Sequence, residues 1–281
     1  MLEDTGERLI PQFHEGLIGY AEHLTRYLAA TAMCAGKDVL DIASGSGYGS
    51  HELATTARSV VGVDISEEAV AYAQATYPSD NLEFRVGSGT AIPLDDDSVD
   101  VVITFETIEH IDDYRTFVAE MRRVLRPGGV AIVSTPNDLE YEENNHFHLH
   151  EFERAELLEL LRPDFPVIEE YYQATWKYVA LDRLEALGGT SERKTVNLAP
   201  IAPEQVRYFY FVCSDAPIAA LPEPIAGLGE HYSEKKNIEV MQELGSLRAE
   251  VGALRAEVSD IKASRSFRYG NRIASVLRGG R

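Results

Sequence analysis

The sequence predicts an α/β fold: a seven-stranded, mostly parallel sheet with helices on both faces, followed by a C-terminal helix or coiled coil. Three observations carry that prediction. Short β-branched runs alternate with amphipathic segments from about residue 37, a glycine-rich turn follows the first run, and a heptad pattern takes over from residue 237.

The runs KDVLDIA (37–43), SVVGVDI (59–65), LEFRVGS (82–88), VDVVITF (99–105) and GGVAIVSTP (128–136) have the length and apolar character of strands buried on both faces. Helices are expected between them at about 47–57, 66–76 and 113–125, which implies parallel strands with right-handed crossovers. RPGG at 126–129 ends the last of these helices, because proline and glycine cannot continue it. PVIEEYYQ (166–173) and RYFYFVCSD (207–215) complete the sheet as an antiparallel pair, and 174–203 between them leaves room for a cap over a site.

The chain is expected to divide into a helical N-terminal cap (1–36), a main domain (37–215), a Pro/Gly-containing linker (216–236), a short coil (237–263) and a basic tail (264–281). In the coil, Val240, Leu244, Leu247, Val251, Leu254, Val258 and Ile261 alternate spacings of four and three. Such a seam favours a two-stranded coil and hence a homodimer, although one amphipathic helix packed on its own domain would satisfy the same pattern.

The formal charge of −20 excludes general nucleic-acid binding, which needs clustered Lys and Arg. The charge is uneven: residues 262–281 hold six basic residues and no acidic one, leaving 20 basic against 46 acidic groups elsewhere. No apolar run of about 18 residues is present, and the N-terminus lacks a basic start followed by an apolar stretch. With two well-separated cysteines, Cys34 and Cys213, this predicts a cytoplasmic protein.

The sharpest motif is DIASGSGYG (41–49), directly after a strand and opening a helix. Its glycines allow a tight turn and close approach of a ligand to the backbone. The next strand ends in Asp64, where a carboxylate can accept both hydroxyls of a ribose. With VVGVDIS, IPLDDDSVDVV, FETIEHI and RVLRPGGVAIVSTPN, these motifs make residues 20–215 resemble the class I S-adenosylmethionine-dependent methyltransferases, a family with a Rossmann-like sheet. The resemblance implies that Asp41, Ala43, Gly45 and Gly47 line the methionine end of the cofactor. It also implies that Asp64 and Ile65 hold ribose and adenine, that Ser88, Gly89 and Thr90 pass the adenine edge, and that Glu106 lies under the reactive centre. Arg26 in the AEHLTRY helix is placed like an arginine that meets the cofactor carboxylate in similar enzymes; a surface charge is the plainer alternative. An NAD-binding domain would need the G-x-G-x-x-G spacing, and the glycines here run G-x-G-x-G.

Methyl transfer to an alcohol needs the hydroxyl proton removed, and histidine is suited to that near neutral pH. Glu109 and His110 follow the fourth strand, on the edge where α/β sheets bind ligands, and NNHFHLHE (144–151) follows the fifth. In an extended segment His146, His148 and His150 would face one way, as a divalent-metal site with Glu151 or Glu142, or as one base among solvent-facing neighbours. The segment NNHFHLHEF resembles an N-P-F-H-x-x-E-F pattern of polysaccharide-linked methyltransferases, which makes His148 the expected general base. His110 is a second candidate and could equally cap the next helix. Trp176, Tyr171 and Tyr172 are candidates for a sugar-stacking wall, with core packing as the alternative.

TGERLIP near the start and SRSFRYGNRIASVLRGGR at the end resemble methyltransferases that accompany bacterial surface-polysaccharide enzymes. That resemblance implies a sugar hydroxyl as acceptor. The arginines of the tail, with Phe267, Ile273, Val276 and Leu277, suit an anionic membrane face or a glycosyltransferase partner; a solvated tail is the alternative. A small-molecule O- or C-methyltransferase of the quinone-biosynthesis type, and a non-catalytic cofactor-binding scaffold, share the same motifs.

Overall fold

The structure, a computed structural model, describes residues 2, 8–14, 18–137, 148–174, 206–219 and 221. The chain divides into two compact units, Met1–Gly229 and Glu230–Arg281, and every described residue lies in the first. The expected coil (237–263) and basic tail (264–281) lie outside the described residues, as do most of the linker and the stretch 175–205.

In chain order the elements are α1 (Pro11–His14), α2 (Ile18–Cys34), β1 (Asp38–Ile42), α3 (Tyr48–Ala54), β2 (Ser59–Asp64), α4 (Glu67–Thr76) and β3 (Leu82–Val86). They continue with β4 (Val99–Phe105), a 3₁₀ turn (Ile108–His110), α5 (Tyr114–Val124), β5 (Leu125–Pro136), α6 (Arg154–Leu161), β6 (Val167–Gln173) and β7 (Tyr208–Ser214). The seven expected strands form one sheet in the order β3-β2-β1-β4-β5-β7-β6. β1 to β5 pair in parallel, and β7 is antiparallel to both of its neighbours. The order reverses between β1 and β4, which opens a crevice at the carboxyl ends of those two strands.

The strands are apolar on both faces because each face carries helices. In β1, Val39 packs with Tyr27, Ala30 and Leu53 from the α2–α3 side. Its neighbours Leu40 and Ile42 join Phe117, Val118 and Met121 of α5 on the other. In β7 the same alternation sends Phe209, Phe211 and Cys213 one way and Tyr210 and Val212 the other. Full burial of such side chains stabilises by roughly 1.5–3 kcal/mol each, so the sheet is a rigid platform for the loops at its ends. Both cysteines are buried and unpaired. Two helices start on side-chain caps: Ser66 accepts from the Ala69 N–H at α4, and Asp113 from the Thr116 N–H at α5.

One boundary differs from the sequence expectation. The helix ends at Val124, and β5 begins at once, running through Arg126–Pro127–Gly128–Gly129. The pairing jumps from Val99↔Leu125 to Val101↔Val130, and Gly128 sits at φ 75°. The RPGG segment is thus a bulge within a strand as well as a helix stop, since its missing N–H and left-handed glycine can be accommodated where the ladder is interrupted. Among the described residues no helix is long and apolar enough to cross a membrane.

Candidate active site

The loops leaving β1, β2, β3 and β4 at the crevice build the site. Beyond Ile42 the chain turns through Ala43 (φ 62°), Ser44, Gly45 (φ 55°), Ser46 and Gly47 (φ 87°) into α3. Glycine carries two of these left-handed positions because a Cβ is disfavoured there. At Gly47 a Cβ would also lie 2.6 Å from the Ala73 Cβ and 2.8 Å from the Phe84 ring. The turn is tied to the end of β2. The Gly45 N–H donates to Asp64 Oδ2 (2.8 Å), the Ser66 N–H donates to Oδ1 (2.9 Å), and the Ser44 N–H donates to the Val63 carbonyl (3.0 Å). Each Asp64 oxygen keeps a further lone pair, which is what recognition of a diol requires.

Asp64 lines a cavity of about 510 Å³, within the range of small-molecule and cofactor sites. Ala43, Gly45, Ile65, Ser88, Gly89, Thr90, Glu106 and His110 line it as well. Ile65 is 73% exposed there, an apolar side chain open to a planar ring.

Asp41, Gly47 and Arg26 are not in the wall. Asp41 lies behind the turn, fully buried, and accepts from the Ser50 and Tyr27 hydroxyls. Burial pushes its carboxyl up to about 7, and the neighbouring Asp64 charge adds to the rise. Gly47 serves packing against α4 and β3. Arg26 is not the surface charge of the plainer reading. It is 3% exposed, pairs with Glu106 (2.6 Å), donates to Gln173 (2.8 Å) and lies over the Tyr208 ring at 4.3 Å. Its guanidinium holds Glu106 in place from behind, where Glu106 has a left-handed backbone (φ 53°) just past β4.

Sequence reasoning missed part of the wall. His23, Tyr27, Tyr48 and Phe105 line the cavity, with the Tyr27 and Phe105 ring centroids 4.9 Å apart. His23 Nδ1 hydrogen-bonds the Tyr48 hydroxyl, and burial, followed by the Arg26 charge, drives His23 well below its ordinary pKa, keeping it neutral. The signal was present in AEHLTRY: His23 stands three and four residues before Arg26 and Tyr27, so the three share a helix face. Arg8 and Leu9 also line the cavity; Ser46 donates to the Leu9 carbonyl (2.7 Å), and Arg8 lies 3.9 Å from Asp64.

A second cluster stands beside this cavity. Glu109 is fully buried; Oε2 accepts from Thr135 (2.9 Å), while Oε1 has no hydrogen-bond partner among the described residues. Burial, with the Glu106 charge, pushes its carboxyl up to about 8. The Glu109 carbonyl accepts from the N–H groups of Leu149 (2.8 Å) and His150 (3.2 Å), which draws the 148–150 segment onto the turn after β4. His148 thereby meets His110 edge-on, with ring centroids 4.9 Å apart, and its Nδ1 lies 2.9 Å from Glu151. One donor atom each from Glu109, His110 and His148 falls within 4.8 Å of the others.

The expected row of three histidines is corrected in part. His150 turns away: its Nε2 lies 2.8 Å from Glu156 and its ring packs on Phe152. His146 and Trp176 lie outside the described residues. Tyr171 and Tyr172 belong to β6 at the far edge of the sheet, where Tyr171 packs on Tyr210 and Tyr172 bonds Glu170 and Arg154, so neither borders the cavity.

Residues 40–133 match the family described as the methyltransferase domain. That stretch is thus similar to a methyltransferase domain. A probable S-adenosylmethionine-dependent methyltransferase of Mycolicibacterium smegmatis is 44% identical over 162 residues, covering 56% of this chain and 62% of the relative. A Mycobacterium tuberculosis protein of the same description is 39% identical, covering 56% and 58%. The chain thus spans about three-fifths of the length of these curated relatives. In fold, the chain is similar to an S-adenosylmethionine-dependent methyltransferase from Thermotoga maritima, with a TM-score of 0.55, 20% identity, and coverage of 75% of this chain and 97% of the other. The residues present fit S-adenosylmethionine, on which these relatives depend by their description: a diol acceptor at Asp64, an apolar ledge at Ile65 and the Ala43–Gly45 backbone turn in the wall.

Proposed function

We propose that the chain transfers a methyl group from S-adenosylmethionine to a hydroxyl oxygen of a sugar or growing glycan. The observation that carries this reading is the Glu109, His110 and His148 group beside the cofactor cavity, with His110 in the wall itself. An alcohol becomes an effective nucleophile as its proton is lost, and a histidine–carboxylate group is suited to draw it off. The cofactor supplies a methyl carbon on a sulfonium; the carbon–oxygen bond forms as the carbon–sulfur bond breaks, leaving a neutral thioether. Asp64 and the 43–45 turn fix the cofactor's position, so that the oxygen approaches in line. Tyr27, Tyr48 and Phe105 give the cavity an aromatic wall on the side of α2 and α3.

The sugar class is supported by the NNHFHLHEF and C-terminal resemblances, and by Asp112 and Asp113, two carboxylates at the cavity that can accept from substrate hydroxyls. The heptad seam and basic tail support a homodimer working beside an anionic membrane face or a glycosyltransferase. The test is incubation of the full chain with S-adenosylmethionine and a panel of free, nucleotide-linked and lipid-linked sugars, read by mass spectrometry. An O-methylated sugar is the expected product. Cofactor binding with methylation of carbon or nitrogen acceptors instead, or with no turnover on any hydroxyl, would overturn the reading.

A further inference from the structure

We propose that Glu109, His110 and His148 form a binding site for one first-row divalent transition-metal ion, open on the side of the cofactor cavity. The inference rests on reading that edge as the acceptor side, and gives the means by which the group handles the acceptor's proton.

The donor set comes first. Two imidazoles and a carboxylate favour ions such as Zn²⁺, Fe²⁺ or Mn²⁺ over Mg²⁺ or Ca²⁺, which prefer oxygen ligands. Three protein ligands also leave coordination positions for a substrate oxygen. The three donor atoms lie within 4.8 Å of one another. Ligands about 2.1 Å from a common ion stand roughly 3.4 Å apart in a tetrahedron, so small side-chain rotations would close the set.

Two further observations point to a ligand independently of that proximity. Among the described residues Glu109 Oε1 is buried without a hydrogen-bond partner, an arrangement that costs free energy and that a bound cation would relieve. His148 has a carboxylate placed to orient its ring. Its Nδ1 pairs with Glu151 at 2.9 Å, and with the proton on Nδ1 the lone pair falls on Nε2, the orienting carboxylate–histidine arrangement common around metals. The backbone fixes the assembly: two N–H groups of the 148–150 segment close on the carbonyl of Glu109 itself. His110 lines the cavity, so an ion held here faces the acceptor. An acceptor hydroxyl bound to the ion becomes more acidic; its O–H bond breaks, the proton passes to solvent water, and the oxygen is left ready to attack the methyl carbon.

The test is calorimetric titration of Zn²⁺ into full-length protein stripped of metal by a chelator. One ion per chain is expected, with His110→Ala, His148→Ala and Glu109→Gln each weakening binding at least tenfold. Glu109→Gln keeps the size of the side chain and its Thr135 contact, so it tests the ligand where truncation could disturb folding. His150→Ala should bind Zn²⁺ as tightly as the wild type. No saturable binding in the wild type, or an equal loss in His150→Ala, would overturn the site. Because this readout needs no acceptor, ion binding without methylation of any sugar would uphold the site and sink the acceptor reading. Methylation by a chain with no saturable ion binding would do the reverse.

Discussion

Asp38 and Asp41 belong to the same strand, three residues apart, and their surroundings differ in kind. Asp38 opens β1 at the amino edge of the sheet and meets Arg58, Ser59 and Arg126, while Asp100 shares both arginines. The Arg58 guanidinium, with Ser59 and Arg126, holds the Asp38 carboxyl well below the usual carboxylate range. Asp41, toward the carboxyl edge, is fully buried and held by two hydroxyls, and its carboxyl rises to about 7. The amino edge pairs its charges in solvent. The carboxyl edge buries Asp41 among hydroxyls, pairs Glu106 with the buried Arg26, and holds Ala43 and Glu106 at left-handed φ; Asp97, before β4, shares that conformation. Departures of that kind gather where a protein holds a ligand.

Gly47→Val should give the largest effect, and all of it at the carboxyl edge. The substitution forces a β-branched residue to φ 87° and drives a Cβ to 2.6 Å from Ala73. Backbone strain and overpacking together should cost about 3 kcal/mol or more, and S-adenosylmethionine binding should be lost. Gly45→Ala has a left-handed φ but nothing within 4 Å of the new Cβ, so its cost should stay near 1–2 kcal/mol. Urea unfolding and calorimetric titration of both variants would test the contrast; equal losses would mean that the close approach to α4 and β3 is unimportant.

Asp41 tests the comparison through pH. Its unfolded carboxyl ionises near 4, whereas the folded one stays protonated until about 7. Between those values the native state holds the extra proton, so this residue makes stability fall as pH rises, by about 1 kcal/mol per unit, and the fall ends above the folded value. Asp41→Asn mimics the neutral form and should remove that slope, leaving the variant more stable than wild type near pH 7. Parallel stability–pH curves for the two proteins between pH 4 and 7 would contradict the assignment.

The contrast between the edges also explains what could be read from the sequence. Buried parallel strands write themselves as apolar runs, and the 41–49 turn and Asp64 stand at the ends of two such runs, so the seven strands and the edge that carries this turn were legible. The start of β5 was not, because RPGG carries a helix-stop signal that a bulge can also use. The burial of Arg26 was not legible either, because its position depends on Glu106, Gln173 and Tyr208, brought together from three elements. The junction of His148 with Glu109 and His110 rests on backbone N–H groups meeting a carbonyl some forty residues away, and side-chain identities carry no trace of such a bond. Periodicity placed His150 beside His148; Glu156 and Phe152 took it elsewhere.

The smallest effect should come from Arg58→Ala, at the other end of β1. Arg58 is exposed, and exposed ion pairs contribute little because water and salt screen them. Asp38 keeps Ser59 and Arg126, and Arg126 still joins it to Asp100. Cofactor affinity should therefore remain within about twofold, the measurable limit of a contact screened over this distance, and the melting midpoint should move least of these variants. The change should appear in the Asp38 carboxyl instead, whose NMR titration should shift upward toward the ordinary carboxylate range, and the shift should shrink in high salt. A clear loss of S-adenosylmethionine affinity in Arg58→Ala would show the two edges to be coupled through β1, and the division between a stabilising end and a working end would fail.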